Sequence, residues 1–239
     1  MIQKMDFVST LCLVLLAGIV YPMSILMSYK KVYENILRDD KYRLSDYKHT
    51  LLLFWIQTFF ILINYVAFKT PIINFYPKFT SLNLWLIVLI VGFAIVQHRL
   101  TYKVKNHQVN NLKEHLKDIY YYLPKTRKEL QWFIFLSVSA GFCEEIIFRV
   151  FLFEFLKSYS SIIFSFITTN LIFAITHIGS GIKNTVSSFI LGLLFQIIIY
   201  LTENIWAAIL LHIIIDINIG ILGYKINQSG KLNNQELHE

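Results

Sequence analysis

The chain has 239 residues, 56% of them hydrophobic and 16% aromatic, with nine glycines, four prolines and two cysteines. So apolar a composition excludes an ordinary soluble domain, and the absence of strand alternation excludes an outer-membrane barrel. The net charge of +7 is gathered in loops between apolar runs, which excludes nucleic acid as a partner and leaves a protein of the lipid bilayer.

A spanning helix needs about 20 apolar residues. Runs of that kind are predicted at 7–28, 49–68, 82–97, 130–156, 159–178, 185–201 and 205–222. The fold class is therefore all-α, a polytopic transmembrane bundle of seven helices. It has eight if the segment 124–156 divides into an interfacial piece and a span. The first run is too long for a signal-peptide core and continues into Tyr29-Lys30-Lys31 without a small-residue cleavage site, so it reads as a retained span. Lys30, Lys31, Arg38, Lys41, Arg43 and Lys48 crowd the loop after the first run, and Arg99 to Lys128 supply a second basic stretch after the third. The loop between, 69–81, has only Lys69 and Lys78. By the positive-inside rule this is a multi-pass cell-membrane protein with its amino terminus outside and its carboxyl tail in the cytoplasm.

Three regions follow from the pattern. Residues 1–128 are a transmembrane scaffold with cytoplasmic basic loops, 129–223 a charged helical core, and 224–239 a polar tail. Between scaffold and core, Thr126 and Glu129 have the spacing of a capping box, which predicts a helix start near Arg127. Gly179 and Gly181 are expected to end the fifth helix, and Asn204 to cap the seventh. Cys12 and Cys143 both lie in apolar runs, where thiols behave as small hydrophobes, and no disulfide is expected.

The first three runs contain no Asp, Glu, Lys or Arg, whereas the later ones carry Glu144, Glu145, Arg149, Glu154, His177, His212 and Asp216. A charge at the bilayer centre costs roughly 2.5–3.5 kcal/mol on insertion scales, so such a cluster must pair, meet water or have a task. Glu145 and Arg149 are i,i+4 on one helix and are expected to form a structural ion pair. Glu144 is turned about 100° away and is free to face a cavity. His212 and Asp216 are also i,i+4, so Asp216 is expected to fix the imidazole tautomer. Glu154 is within reach of a helix end. A carboxylate and an imidazole about one water make a general base, and a protonated His212 is suited to a developing oxyanion. The same donors, Glu144, His177 and His212, form an alternative zinc set; without zinc no cofactor is required.

Glu-Glu-x-x-x-Arg at 144–149, Phe-x-x-x-His at 173–177 and His-x-x-x-Asp at 212–216, each on its own apolar helix, resemble the CAAX protease and bacteriocin-processing family of intramembrane peptidases, related to the Ras-converting CAAX endopeptidases. The resemblance covers 131–217 and includes Gly192, Thr202, Asn204 and Trp206. It implies hydrolysis of a peptide bond in a membrane-associated protein or peptide. Glu144 is then the water-activating residue with His177 as its partner, His212 and Asp216 the oxyanion pair, and Glu145 and Arg149 structural. Asp216 departs from the asparagine found in that family, since an ionised carboxylate cannot donate to an oxyanion. Two other functions fit the same residues. One is a non-catalytic peptide-binding or bacteriocin-immunity protein, and the other is a proton-coupled transporter. A helix beginning at Arg127 places Glu144 about 25 Å from its start, while His177 is near the cytoplasmic end of its own helix. The two meet only if the fourth helix protrudes from the bilayer, with the site open toward the cytoplasm.

Overall fold

A computed structural model describes residues 2–68, 80–102 and 108–236. Among them are nine helices and no strand. Helix α1 runs unbroken through Ile2–Leu15, a π-helical stretch Leu16–Val20, and Tyr21–Arg38; α2 is Lys41–Phe68 and α3 is Ser81–Tyr102. Two short helices follow, α4 (Val109–His115) and α5 (Lys117–Tyr120). Helix α6 comprises Arg127–Glu144, a π-helical stretch Glu145–Leu152, and Phe153–Tyr159. The chain ends with α7 (Ile162–Ile175), α8 (Ile182–Thr202) and α9 (Ile205–Glu236). Six of the seven apolar runs are thus helical throughout, and the run at 159–178 is helical over Ile162–Ile175, with a turn at Ser160–Ser161 before it. The basic residues Lys69, Lys78, Lys103 and Lys105 lie outside the described residues.

Segment 124–156 does not divide. Helix α6 starts at Arg127, where the Glu129 amide donates to the Thr126 hydroxyl at 3.2 Å and the Thr126 amide donates to the Glu129 carboxylate at 2.9 Å. The box starts the helix, which then runs without a break to Tyr159; the two short helices lie earlier, in the polar insert. Among the described residues four helices are long and apolar enough to cross a membrane, Phe7–Arg38, Lys41–Ala67, Ile182–Thr202 and Ile205–Ser229, with shorter apolar helices at Leu84–Arg99 and Ile162–Ile175. Large side chains such as Phe59, Val66, Leu89, Ile163 and Ile190 are exposed on them. A belt of that size requires lipid as its solvent.

Helix α6 is the central element. Every residue from Cys143 to Phe153 is buried. Its most extensive neighbour is α9, and glycine sets how closely they approach. A Cβ at Gly141 would meet Ile213 Cγ1 at 2.5 Å and the backbone of Ile209 and Ile213 at 3.2 Å. Further along α9, Gly220 accommodates the Phe133 ring. On the other side α2 crosses α6, with the Trp55 indole donating to the Ser139 hydroxyl at 3.0 Å and Tyr47 set edge-on to Phe133 at 5.5 Å.

A buried arginine fixes the lower end of α6. Arg43 of α2, fully buried, donates to the Tyr121 carbonyl at 2.8 Å, to Glu129 at 2.9 Å and to Asp40 at 2.7 Å. The capping-box glutamate therefore also binds the scaffold. Its second oxygen accepts from the Lys125 amide at 2.7 Å. At the start of α9 the Asn204 side chain accepts from the Trp206 amide at 3.0 Å, as expected of a cap. Both cysteines are free thiols.

Candidate active site

Glu144 and Glu145 straddle the point where α6 changes from α- to π-helical hydrogen bonding. Local π-turns recur where a helix re-aims side chains at a functional site. Across the tight α6–α9 contact stands His212, buried like both glutamates. Its Nδ1 is 2.8 Å from Oε1 of Glu145, and beside an ionised carboxylate Nδ1 is the donor. The other nitrogen, Nε2, is 3.6 Å from Glu144 Oε2 and 3.6 Å from Asp216 Oδ2. The imidazole is also held by its face, stacked on the Phe195 ring at 5.1 Å.

This corrects the expectation for Asp216. The i,i+4 step along α9 brings Asp216 to Nε2, beyond hydrogen-bond distance, while Nδ1 points across the helix interface to Glu145. Among the described residues Glu145, not Asp216, is within hydrogen-bond distance of the His212 imidazole. The reading of Glu145 as consumed by a pair with Arg149 changes accordingly. Arg149 Nε lies 3.4 Å from Glu145 Oε2, but Oε1 serves the histidine. Arg149 is fully buried, and its guanidinium carbon lies 3.9 Å from the centre of the Phe173 ring. Phe148 and Phe195 are about the same cation at 6.0 and 5.8 Å. Its charge therefore rests on one carboxylate and three aromatic faces.

His177 follows the end of α7. Its Nδ1 is 3.1 Å from the Phe173 carbonyl and 3.1 Å from the Thr176 hydroxyl. Phe173 stands between the histidines, 4.7 Å from the His177 ring and 6.3 Å from the His212 ring. The structure thus gathers Glu144, Glu145, Arg149, His212 and Asp216 into one cluster and leaves His177 a phenyl ring away. Among the described residues no hydrogen bond joins His177 to Glu144. Depth no longer separates them. Counted from the Ser160–Ser161 turn shared by α6 and α7, both residues lie roughly 20 Å along their helices. At about 50 Å, α6 is longer than the ~30 Å hydrocarbon core of a bilayer.

Zinc needs three converging ligands; the Nδ1 bonds of His212 to Glu145 and of His177 to the Phe173 carbonyl leave Nε2 of each ring as its ligating nitrogen. Among the described residues no group of three His, Cys, Asp or Glu side chains is placed to hold a metal ion. Glu154 is at the far end of α6, paired with Lys157 at 2.6 Å.

The amides Asn170 and Gln196 were not singled out by the sequence. Both are buried, and each has a carbonyl oxygen without a hydrogen-bond partner. A Cβ at Gly192 would come within 2.4 Å of Asn170 Oδ1 and 2.8 Å of Arg149 Nη2. Glycine there is what lets the guanidinium and the amide approach α8. The available signal was an amide inside each of two apolar runs, four residues after Gly192 in the case of Gln196.

Residues 126–218 match the family model described as Rce1-like, type II CAAX prenyl endopeptidase Rce1-like. The match runs from the cap of α6 to the middle of α9 and supports the CAAX protease and bacteriocin-processing family over that segment. No curated protein and no solved structure matches the chain.

Proposed function

We propose that this protein is an intramembrane endopeptidase that hydrolyses a peptide bond of a membrane-associated protein or peptide, with Glu144 as the general base. The observation that carries the proposal is the clustering of Glu144, Glu145, His212 and Asp216 at the buried α6–α9 contact, within the segment that matches the endopeptidase model. Glu144 removes a proton from water as the water oxygen attacks the scissile carbonyl carbon, with His177 across the Phe173 edge as second partner to that water. The carbonyl electron pair moves onto oxygen. A protonated His212, held by Glu145 through Nδ1, presents its Nε2–H to the oxyanion. The proton on Glu144 then passes to the departing amine as the carbon–nitrogen bond breaks. Asp216, with one third of its side chain exposed, balances charge beside Nε2 where the site meets its surroundings.

On the positive-inside reading the chain enters α6 from the cytoplasm, and the substrate bond then reaches the site from that leaflet. Glu144→Gln tests the assignment, because the amide retains the shape of the side chain and loses its basicity. Membrane proteomes of cells expressing the wild type and Glu144→Gln should differ by a cleaved substrate, with both proteins folded and equally abundant. A variant that cleaves at the wild-type rate would remove Glu144 from the chemistry.

A further inference from the structure

Tyr121 lies outside the segment that matches the family, between α5 and α6, and its hydroxyl donates to the Gly179 carbonyl at 3.0 Å. Gly179 is two residues past His177, in the single 3-10 turn Ile178–Ser180 that links α7 to α8. Two more side chains brace that turn. Tyr29 of α1 lies against Gly179, so that an added Cβ would be 3.2 Å from its own Cβ. Asp118 of α5 fills the space beside Gly181, where a Cβ would come within 2.8 Å. Gly181 also holds φ at +88°, a region open to glycine and strained for other residues.

Among the described residues the imidazole of His177 hydrogen-bonds only to Phe173 and Thr176 of its own chain segment. Its distance from Glu144 is therefore set by where the turn stands relative to α6. Tyr121 is well placed to set it. Arg43 holds the Tyr121 carbonyl at 2.8 Å, the Tyr121 ring is edge-on to Tyr33 at 4.7 Å, and the next residues enter the α6 cap. We infer that Tyr121 is a positioning residue for His177, tying the turn that carries the histidine to the base of the helix that carries Glu144. The inference rests on the peptidase reading for the meaning of His177, not for the contact. Burial pushes the Tyr121 phenol up to about 12, so it remains a donor throughout the neutral range.

Tyr121→Phe removes the one hydroxyl and retains the ring, and Tyr122→Phe is the control. Tyr122 is an adjacent tyrosine whose hydroxyl donates instead to Asp46 of α2 at 2.9 Å. Three readouts apply to the full-length protein in liposomes: amide hydrogen exchange at 177–181, carbethoxylation of His177 by diethyl pyrocarbonate, and cleavage of the substrate found with the Glu144→Gln comparison. Tyr121→Phe should speed exchange and labelling of the turn about tenfold, the scale of one lost hydrogen bond. It should also lower kcat by tenfold or more with little change in KM, since misplacement of a catalytic group by about 1 Å costs on the order of 100-fold. Tyr122→Phe should leave exchange, labelling and kcat as in the wild type. Unchanged exchange and labelling in Tyr121→Phe overturns the inference, as does a loosened turn with an undiminished kcat. A wild-type protein that cleaves nothing overturns the peptidase reading instead, and exchange and labelling then decide this one.

Discussion

Gly141→Ala places one methyl group at the closest point of the α6–α9 contact. Carbon atoms rest about 3.5–4.0 Å apart, but the new Cβ would be 2.5 Å from Ile213 Cγ1 and 3.2 Å from two backbone atoms of α9. The Ile213 side chain can turn aside; the backbone cannot. Helix α9 must therefore retreat by roughly 0.3–0.8 Å for ordinary contact. His212 is the residue before Ile213, and its 2.8 Å bond to Glu145 is on that same interface. A retreat of this size takes the bond to the edge of hydrogen-bond distance. Overpacking of this kind costs about 1–3 kcal/mol of stability, and displacement of a catalytic group by about 1 Å costs on the order of 100-fold in rate. Thermal unfolding in detergent and cleavage in liposomes measure the two effects. Gly92→Ala on α3 is the matched control, because a Cβ there meets nothing within 4 Å; removing a mid-helix glycine should be neutral or stabilising by up to about 1 kcal/mol. Adding Ile213→Ala to Gly141→Ala should restore only part of the loss, since the backbone contacts remain. Wild-type melting and kcat in Gly141→Ala would refute the reasoning that glycine sets this distance.

Other consequences are open to direct measurement. Arg149→Met preserves packing among Phe148, Phe173 and Phe195 but strands Glu145, and should destabilise by about 3–5 kcal/mol as removal of one partner from a buried pair does; Glu144→Gln should melt close to the wild type, and equal stability of the two variants would place Arg149 in the chemistry. Glu145→Gln should lower kcat far more than Asp216→Asn, because only Glu145 holds Nδ1 of His212, and the opposite ranking in steady-state kinetics would return the orienting role to Asp216. Activity should survive chelator treatment, and stoichiometric zinc in the purified protein, lost in His177→Ala, would reverse that expectation. At Asp40, burial raises the carboxyl but hydrogen bonds from Arg43 and Lys125 outweigh it and hold it below the usual range. A depressed carboxylate stabilises the fold above its unfolded pKa, and that contribution is lost as pH falls through the folded one. Asp40→Asn should therefore narrow the difference in melting temperature between neutral pH and the acid limb, by a small amount because the side chain is mostly exposed; an unchanged difference would sever Asp40 from the Arg43 hub.

The sequence by itself located the apolar runs, the starts of α6 and α9 and the residues that carry charge within those runs, while α1, α2 and α8 begin three to eight residues before the runs expected for them. Apolar run length is a local property, so a helix formed at each of the seven runs, and Thr126, Glu129 and Asn204 capped where their spacing required. Motif order also placed Glu144, Glu145, Arg149, His212 and Asp216 on the right elements. Partner choice was another matter. An i,i+4 rule sees only neighbours on one helix, so it assigned Glu145 to Arg149 and His212 to Asp216. Both pairs are present, at 3.4 and 3.6 Å, but tertiary packing added the closer one: Gly141 brings α9 against α6, and across that contact His212 Nδ1 meets Glu145 at 2.8 Å. Arg43 reaching the α6 cap from α2, and Tyr121 reaching the turn after His177, join residues 86 and 58 positions apart. No periodicity encodes such separations, because they follow from how whole helices cross and from which small residues permit the crossing.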